Sequence, residues 1–310
     1  MLPELLTYEN TAGALNWIDT VEALRAGHLL PKAEVGDVFL GPATATLLSR
    51  SAYIPGLGYG VKAVTVMDAN PARGLPTVQG AMMLYDPDGG TIRAIIDSRL
   101  ITEFKTAGDS VLGASLLARP DSRHLLVIGA GTLAGGLVRA YSAYFPEIEK
   151  ISIWARRPEQ AQQLVAELDD VRAELVACAD LQAAVAEADI ISTATMAREP
   201  VLPGAWVRPG THVDLIGAYK ADMREADDTL IERGMLFVDS RDTTIHHIGE
   251  LMMPIAAGVI TEQDVRGDLY DLVSGAVAGR HDPEDITVFK NGGGAHLDLM
   301  TAAYITKAVG

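Results

Sequence analysis

The chain has 310 residues, which suits two domains better than one core. With 48% hydrophobic and 21% charged residues it can build a packed interior, which excludes a disordered chain. A formal net charge of -16 argues against nucleic acid as a partner, but not against a small anionic substrate, which feels local charge rather than the sum. Cys178 is the single cysteine, so no disulfide forms within the chain and a reducing cytoplasm is expected. The first residues lack the basic flank and apolar run of a secretory signal. No apolar stretch approaches the roughly 20 residues that cross a bilayer, so no membrane association is expected.

Leu15, Ile18, Val21, Ala23 and Leu24 have helical spacing and predict a helix over Thr11 to Gly27, with Gly27 as its stop. Strands are predicted over Gly60 to Val66, Gly80 to Tyr85 and Arg93 to Ile96, the last two joined by the turn signal Asp86-Pro-Asp-Gly-Gly. A helix follows over Ser110 to Ala118 and stops at Arg119-Pro120. From there strands and helices alternate. Strands are predicted at His124 to Ile128, Ile151 to Trp154, Glu174 to Cys178, Ile190 to Thr193, His212 to Ile216 and Leu236 to Val238, which completes the series. The intervening helices run over Leu133 to Phe145, Pro158 to Leu168 and Leu181 to Ala188. This alternation predicts an α/β fold with a Rossmann-type parallel sheet, covered by helices on both faces. A last helix, Leu297 to Val309, is expected to pack back on the first domain. The expected organisation is a discontinuous α+β domain, residues 1–107 and 295–310, around a Rossmann-type domain of residues 108–294.

The turn after the first strand of the alternating series reads Gly129-Ala130-Gly131-Thr132-Leu133-Ala134, a G-x-G-x-x-A pattern. Gly129 allows the tight turn, Gly131 lets backbone approach a pyrophosphate, and Ala134 keeps helix close to strand. The phosphates would sit on the helix N-terminus, where backbone N–H groups and the dipole favour anions. The pattern is weak alone, but the preceding strand, following helix and second strand supply the context it needs. At the end of that second strand an NAD enzyme usually carries Asp or Glu for the ribose 2′-hydroxyl. This chain has Trp154-Ala155-Arg156-Arg157, and no carboxylate until Glu159. Arg156 and Arg157 suit a 2′-phosphate, which favours NADP(H) over NAD(H). Their plainer role is a solvated helix start. Thr193 and Thr195, at the carboxyl end of a later strand, are candidates for the nicotinamide side.

Several further segments follow in order: Gly60-Val-Lys62-Ala-Val-Thr-Val, Gly74-Leu-Pro-Thr-Val-Gln-Gly80, Leu100-Ile-Thr-Glu-Phe-Lys105-Thr106-Ala107, the glycine turn, Ile216 to Glu225, and Phe289-Lys-Asn-Gly-Gly-Gly294. Together they resemble the ornithine cyclodeaminase/mu-crystallin family along nearly the whole chain. The resemblance implies a homodimer, in which the discontinuous domain serves substrate binding and dimerisation and residues 108–294 bind the dinucleotide. It also implies hydride transfer, with NAD(P), at a carbon bearing nitrogen and carboxylate. Lys62 matches the family lysine near the substrate carboxylate and the reacting centre, and Thr106 matches a residue that touches the cofactor phosphate. Lys32 and Lys105 stand where most relatives carry arginine, which keeps charge but loses the planar fork. Lys32, Lys62 and Lys105 are thus the expected holders of a substrate carboxylate.

Cyclodeaminases carry an aspartate just after the Gly-Gly or Gly-Ala pair, where this chain reads Gly217-Ala218-Tyr219; Asp222 matches a separate family feature. The expected activity is therefore reduction of an α-imino acid or ketimine, such as a cyclic imino acid, iminosuccinate, or pyruvate with ammonia. The alternatives are an ornithine cyclodeaminase using bound NAD, and a catalytically silent cofactor-binding protein. His246, His247 and Glu250 have a metal-like spacing but no evident third ligand, so no metal is expected. Asp298 is read as a cap of the last helix, and Asp189 as structural.

Overall fold

A computed structural model describes residues 3–310. The chain divides into two compact units, residues 1–108 with 294–310, and residues 109–293.

The first unit is built on a six-stranded sheet of β1 (Glu4–Leu6), β2 (Glu34–Leu40), β3 (Ala45–Ile54), β4 (Gly58–Met67), β5 (Val78–Tyr85) and β6 (Ile92–Asp97). Its order is β1-β6-β5-β4-β3-β2, antiparallel except for the parallel β1–β6 pair. The Asp86 turn joins β5 to β6 as expected, with Gly89 N donating to Asp86 Oδ1 at 2.7 Å. The helix Ala295–Val309 belongs to this unit and packs on β3, β4 and the helix Trp17–His28.

The first predicted helix is corrected at both ends. Tyr8–Thr11 is a separate short helix, and the longer one starts at Trp17 because Asn16 caps it, accepting from Asp19 N. Gly27 does not stop it. The helix runs on to His28, and a Cβ at Gly27 would lie 2.5 Å from Met300 Cγ, so glycine is there to let the carboxyl-terminal helix close in. The helix read from Ser110 begins instead at Ser98.

The second unit carries an eight-stranded parallel sheet: β7 (His124–Ile128), β8 (Lys150–Trp154), β9 (Glu174–Ala177), β10 (Ile190–Thr193), β11 (His212–Leu215), β12 (Met235–Val238), β13 (Val265–Gly267) and β14 (Thr287–Lys290). The order is β13-β12-β14-β11-β10-β7-β8-β9. The alternating series therefore does not end at Val238. β13 adds an edge, and β14 inserts between β11 and β12. The strand is short and ends in Lys290, whose buried Nζ donates to Leu215 O at 2.7 Å and Asn291 O at 2.9 Å. A lysine so satisfied sits in a core, but it hides the strand from an apolar-run criterion.

Apolar side chains of these strands, among them Leu126, Ile128, Val213, Leu215 and Val288, form one buried cluster with the flanking helices. Asp189 has the structural role expected of it, taking backbone N–H bonds from Arg123 and His124 and ion pairs from Arg119 and Arg208. No helix among the described residues is long and apolar enough to cross a membrane.

Candidate active site

In the first unit, the period of two along β4 puts Gly60, Lys62 and Val64 on its buried face. Lys62 faces Arg50 of β3 on one side and Met82 of β5 on the other. The carboxyl-terminal helix covers this face closely: a Cβ at Gly60 would meet Met82 Cε at 2.4 Å and Leu299 Cδ1 at 3.0 Å. That approach brings Asp298 onto the lysine. Lys62 Nζ donates to Asp298 Oδ1 at 2.6 Å, with side chains 8% and 1% exposed. Asp298 Oδ2 is buried and has no hydrogen-bond partner among the described residues. Asp298 is therefore not the helix cap. Gly294 occupies that position, and Asp298 lies inside the first turn, its N–H donating to Gly294 O.

Burial drives the Lys62 ammonium below its ordinary value, and the charges of Lys105 and Arg50 push the same way, while Asp298 pulls it back up. Lys105 is buried on the helix Ser98–Leu117, and Thr106 beside it is half-buried. Arg50 is held by Asp37 of β2, with Nε at 2.9 Å and Nη2 at 2.8 Å from Oδ2. His296 is buried edge-on to His28, ring centroids 5.8 Å apart. Burial, then the charges of His28, Lys105, Arg50 and Lys32, hold His296 well below the ordinary histidine value, so it is neutral near pH 7. Lys32 itself is exposed. The structure gathers Lys62 and Lys105, with Lys32 within electrostatic reach. It adds Arg50, His28, His296 and Asp298, which the sequence reading missed. Such a cluster can hold an anion and move a proton. Only the strand alternation could have flagged Arg50, since β3 was not read as a strand.

In the second unit, Gly129 has φ +127°, and a Cβ there would lie 2.5 Å from Ala194 O, so only glycine fits. Its N–H donates to Trp154 O at 2.8 Å, tying the turn to β8. Gly131 caps the helix Thr132–Tyr144, and a Cβ on it would point into open space. Thr132 is exposed and Ala134 buried, so the first N–H groups of the helix are presented above a sealed base. A dinucleotide pyrophosphate fits this cradle: donors face outward, and the one side chain that would block it is missing. Ala130 and Leu133 are half-buried at its rim. Arg156 and Arg157 are both exposed after β8, Arg157 Nε donating to Gln160 Oε1 at 3.0 Å, and Glu159 is exposed in the next helix.

Thr193 does not line an open face. It is fully buried, and its Oγ1 donates to Glu225 Oε2 at 2.7 Å. Glu225 also accepts from Thr195 N and Oγ1 at 2.7 and 2.6 Å, and from Gly217 N at 2.6 Å. This one carboxylate ties the end of β10 to the turn after β11, an organising role that its place in the Asp222–Glu225 stretch did not reveal. Thr195 remains half-exposed. Tyr219 is 49% exposed, with Lys220 Nζ 5.4 Å from its ring centroid, and Asp222 pairs with Arg198 at the surface. Glu250 turns inward, accepting from the backbone N–H groups of Glu225 and Ala226, while His246 lies 3.5 Å from Glu262. These directions separate the residues whose spacing resembled a metal site.

A family model described as the ornithine cyclodeaminase/mu-crystallin family matches residues 51–309. The chain is 66% identical over 307 residues, 99% of its length and 97% of the relative's, to a Δ1-pyrroline-2-carboxylate reductase of Paracoccus denitrificans. Among solved structures it resembles the Thermococcus litoralis Δ1-pyrroline-2-carboxylate reductase in complex with NADH and L-proline, with TM-score 0.93, 28% identity, and coverage of 99% and 97% of the two chains. It also resembles an archaeal alanine dehydrogenase dimer with bound NAD, with TM-score 0.92, 27% identity, and coverage of 100% and 96%. The glycine turn, the lysine of β4 and the order of the strands thus have one common explanation: the chain belongs to the ornithine cyclodeaminase/mu-crystallin family.

Proposed function

We propose that the protein is an NAD(P)H-dependent reductase of a cyclic α-imino acid, with Δ1-pyrroline-2-carboxylate as the foremost candidate substrate. The observation that carries this reading is the buried cationic cluster around Lys62, in a chain whose net charge is -16. Positive charge concentrated against the overall balance suits a small carboxylate. The 66% identity to the Paracoccus reductase selects the cyclic imino acid from the wider class. Tyr219, where cyclodeaminases have aspartate, favours reduction over ring closure from ornithine.

The reduced nicotinamide, when bound, supplies the hydride. Gly129, Ala130, Gly131, Thr132 and Leu133 form the phosphate cradle. Lys105, Lys32 and Arg50 hold the substrate carboxylate. Lys62 sits on a rigid strand and delivers a proton from Nζ to the imine nitrogen. As hydride reaches the carbon, the C=N π pair moves onto nitrogen and takes that proton; the neutral lysine is reprotonated from water. Arg156 and Arg157, with no competing carboxylate on the strand end, favour NADP(H) over NAD(H), although the two structural relatives carry NADH and NAD.

A homodimer is part of the same reading. All seven residues of the edge strand β2 are exposed, including Val35, Val38, Phe39 and Leu40 at 45–65%. A long apolar edge of this kind invites pairing unless it is covered. The deciding experiment for function follows the nicotinamide absorbance with Δ1-pyrroline-2-carboxylate, its six-membered homologue, iminosuccinate, pyruvate with ammonia, and ornithine. Rapid oxidation of the cofactor by the cyclic imines is expected. Robust turnover of ornithine alone, with none of the imines, would replace this reading by cyclodeamination.

A further inference from the structure

We propose that Asp298 is a positioning residue of this reaction, its carboxylate holding the Lys62 ammonium in place and charged as the proton donor to the imine nitrogen. The inference rests on the reading of Lys62 given above. Its geometry is independent of that reading. Strand β4 and the helix Ala295–Val309 are both regular elements packed on each other, close enough at Gly60 that a Cβ there would lie 3.0 Å from Leu299 Cδ1 of the helix. That packing brings together one buried polar pair, Lys62 Nζ to Asp298 Oδ1 at 2.6 Å. Both partners are almost wholly removed from water. A buried ion pair of this kind rarely gains stability over apolar residues of the same volume, because two desolvation costs stand against one attraction. Asp298 is moreover incompletely used by the fold, since its Oδ2 has no partner among the described residues. A helix that needed only packing would carry an apolar residue there, as it does at Leu297 and Leu299.

The surroundings explain what the carboxylate does. Arg50 faces Lys62 from β3 and Lys105 from the helix Ser98–Leu117; β5 contributes Met82, which is apolar. His28 and His296 lie by the same cations, and His296 is neutral. Every charged neighbour of Lys62 named here except Asp298 is positive, and burial acts with them to expel the proton. Asp298 is the one group that opposes this before substrate arrives. An imine reductase needs the opposition, because a neutral Lys62 has no proton to give at the moment hydride is transferred.

The test compares Lys62→Met, Asp298→Asn and the double variant for kcat against pH at saturating substrate, with cofactor affinity and urea midpoint measured in parallel. In Asp298→Asn the lysine should lose its proton at lower pH. The high-pH limb of kcat should move down by at least one unit, and kcat at pH 8 should fall about 10-fold or more, short of the roughly 100- to 10,000-fold cost of losing the acid–base group itself. Cofactor affinity should be unchanged. The double variant should be no slower than Lys62→Met, because Asp298 acts only through the lysine. An Asp298→Asn enzyme with a normal kcat and an unmoved limb would overturn the inference, as would a further loss in the double variant. If Asp298→Asn does not fold, Asp298→Glu takes its place. That variant keeps the charge and displaces it, so it should keep the limb and lower kcat, and an unaltered kcat would refute the positioning role. A near-normal kcat in Lys62→Met would instead remove the lysine reading itself; a crippled Lys62→Met beside a silent Asp298→Asn removes only the present inference.

Discussion

Replacing Glu225 by glutamine should loosen the carboxyl edge of the second unit's sheet. Glu225 Oε2 accepts from Gly217 N at 2.6 Å, Thr193 Oγ1 at 2.7 Å and Ala218 N at 3.3 Å, while Oε1 accepts from Thr195 N and Oγ1. An amide is the same size but carries only one acceptor oxygen. Whichever way it is turned, its NH2 group faces at least one backbone N–H. With the amide oxygen kept toward Gly217 and Ala218, one backbone donor, Thr195 N, loses its acceptor; turned the other way, both Gly217 and Ala218 do, so the first orientation is preferred. A buried donor left unsatisfied costs about 1–3 kcal/mol. At about 2–4 °C per kcal/mol for a unit of this size, Tm should fall by roughly 2–12 °C. The segments released are the end of β10 and the turn after β11, at the edge of an α/β sheet where ligands bind. Dinucleotide affinity should therefore weaken with stability, and bound cofactor should recover part of the Tm. Calorimetry with and without NADPH, with fluorescence titration of the cofactor, measures both. A Tm within 2 °C of wild type would refute the accounting. A large Tm loss with unchanged cofactor affinity would show that Glu225 serves the fold alone.

Four other outcomes are expected. Activity should be higher with NADPH than NADH, and kcat/KM for NADPH should drop about 10-fold or more in Arg156→Ala or Arg157→Ala, each removing a charge-assisted fork; an enzyme that prefers NADH and ignores both changes contradicts the 2′-phosphate reading. Lys32→Met and Lys105→Met should chiefly raise the KM for the imino acid, because a carboxylate contact equal in ground and transition states leaves kcat unchanged; a fall in kcat at constant KM would move these lysines into the chemistry. Phe39→Asp should convert the proposed homodimer to monomer by light scattering, since Phe39 is 65% exposed on the β2 edge; an unaltered dimer would place the interface elsewhere. Burial pushes Glu250 up to about 7 and Asp214 up to about 6, so the folded chain keeps protons there that the unfolded chain releases nearer 4. Their contribution to stability is full below about pH 4 and is lost as pH rises through 6 to 7. Urea midpoints at pH 5 and pH 8 should show this decline, less steeply in Glu250→Gln; an equal slope in the variant would refute the assignment.

The sequence was most legible where one local rule decided the outcome. His124–Ile128 and Ile190–Thr193 are bounded as expected, because fully buried parallel strands are apolar throughout and flanked by turns or helices. The glycine turn was legible because Gly129 and Gly131 answer to backbone geometry rather than to distant contacts. Legibility failed where tertiary contact sets the rule. β2 reads Glu-Val-Gly-Asp-Val-Phe-Leu and exposes every residue, so it shows no alternation of inside and outside. β14 ends in a lysine whose Nζ is satisfied by the carbonyls of Leu215, from a neighbouring strand, and of Asn291. Glu225 and Asp298 are both acidic residues in helical or loop contexts, where a solvated surface is the ordinary expectation. Nothing local distinguishes them from Asp222, which does lie at the surface.

The lysines at positions 32 and 105 illustrate the same limit from the side of function. Read one position at a time, each loses the planar fork that arginine would offer a carboxylate. Read in the fold, a guanidinium returns to the cluster from another strand: Arg50 faces Lys62 across the β3–β4 ladder. Asp37 holds two of its nitrogens, which fixes the plane of the group. Charge and fork are thus separable, the first carried by lysines and the second by a residue no positional comparison would select. If Arg50 holds the substrate carboxylate as proposed, that carboxylate is oriented chiefly from the β3 side. Arg50→Lys, which keeps charge and removes the fork, should then cost more in kcat/KM than Lys32→Arg or Lys105→Arg. A smaller cost at Arg50, measured with Δ1-pyrroline-2-carboxylate, would return the orienting role to Lys32 and Lys105.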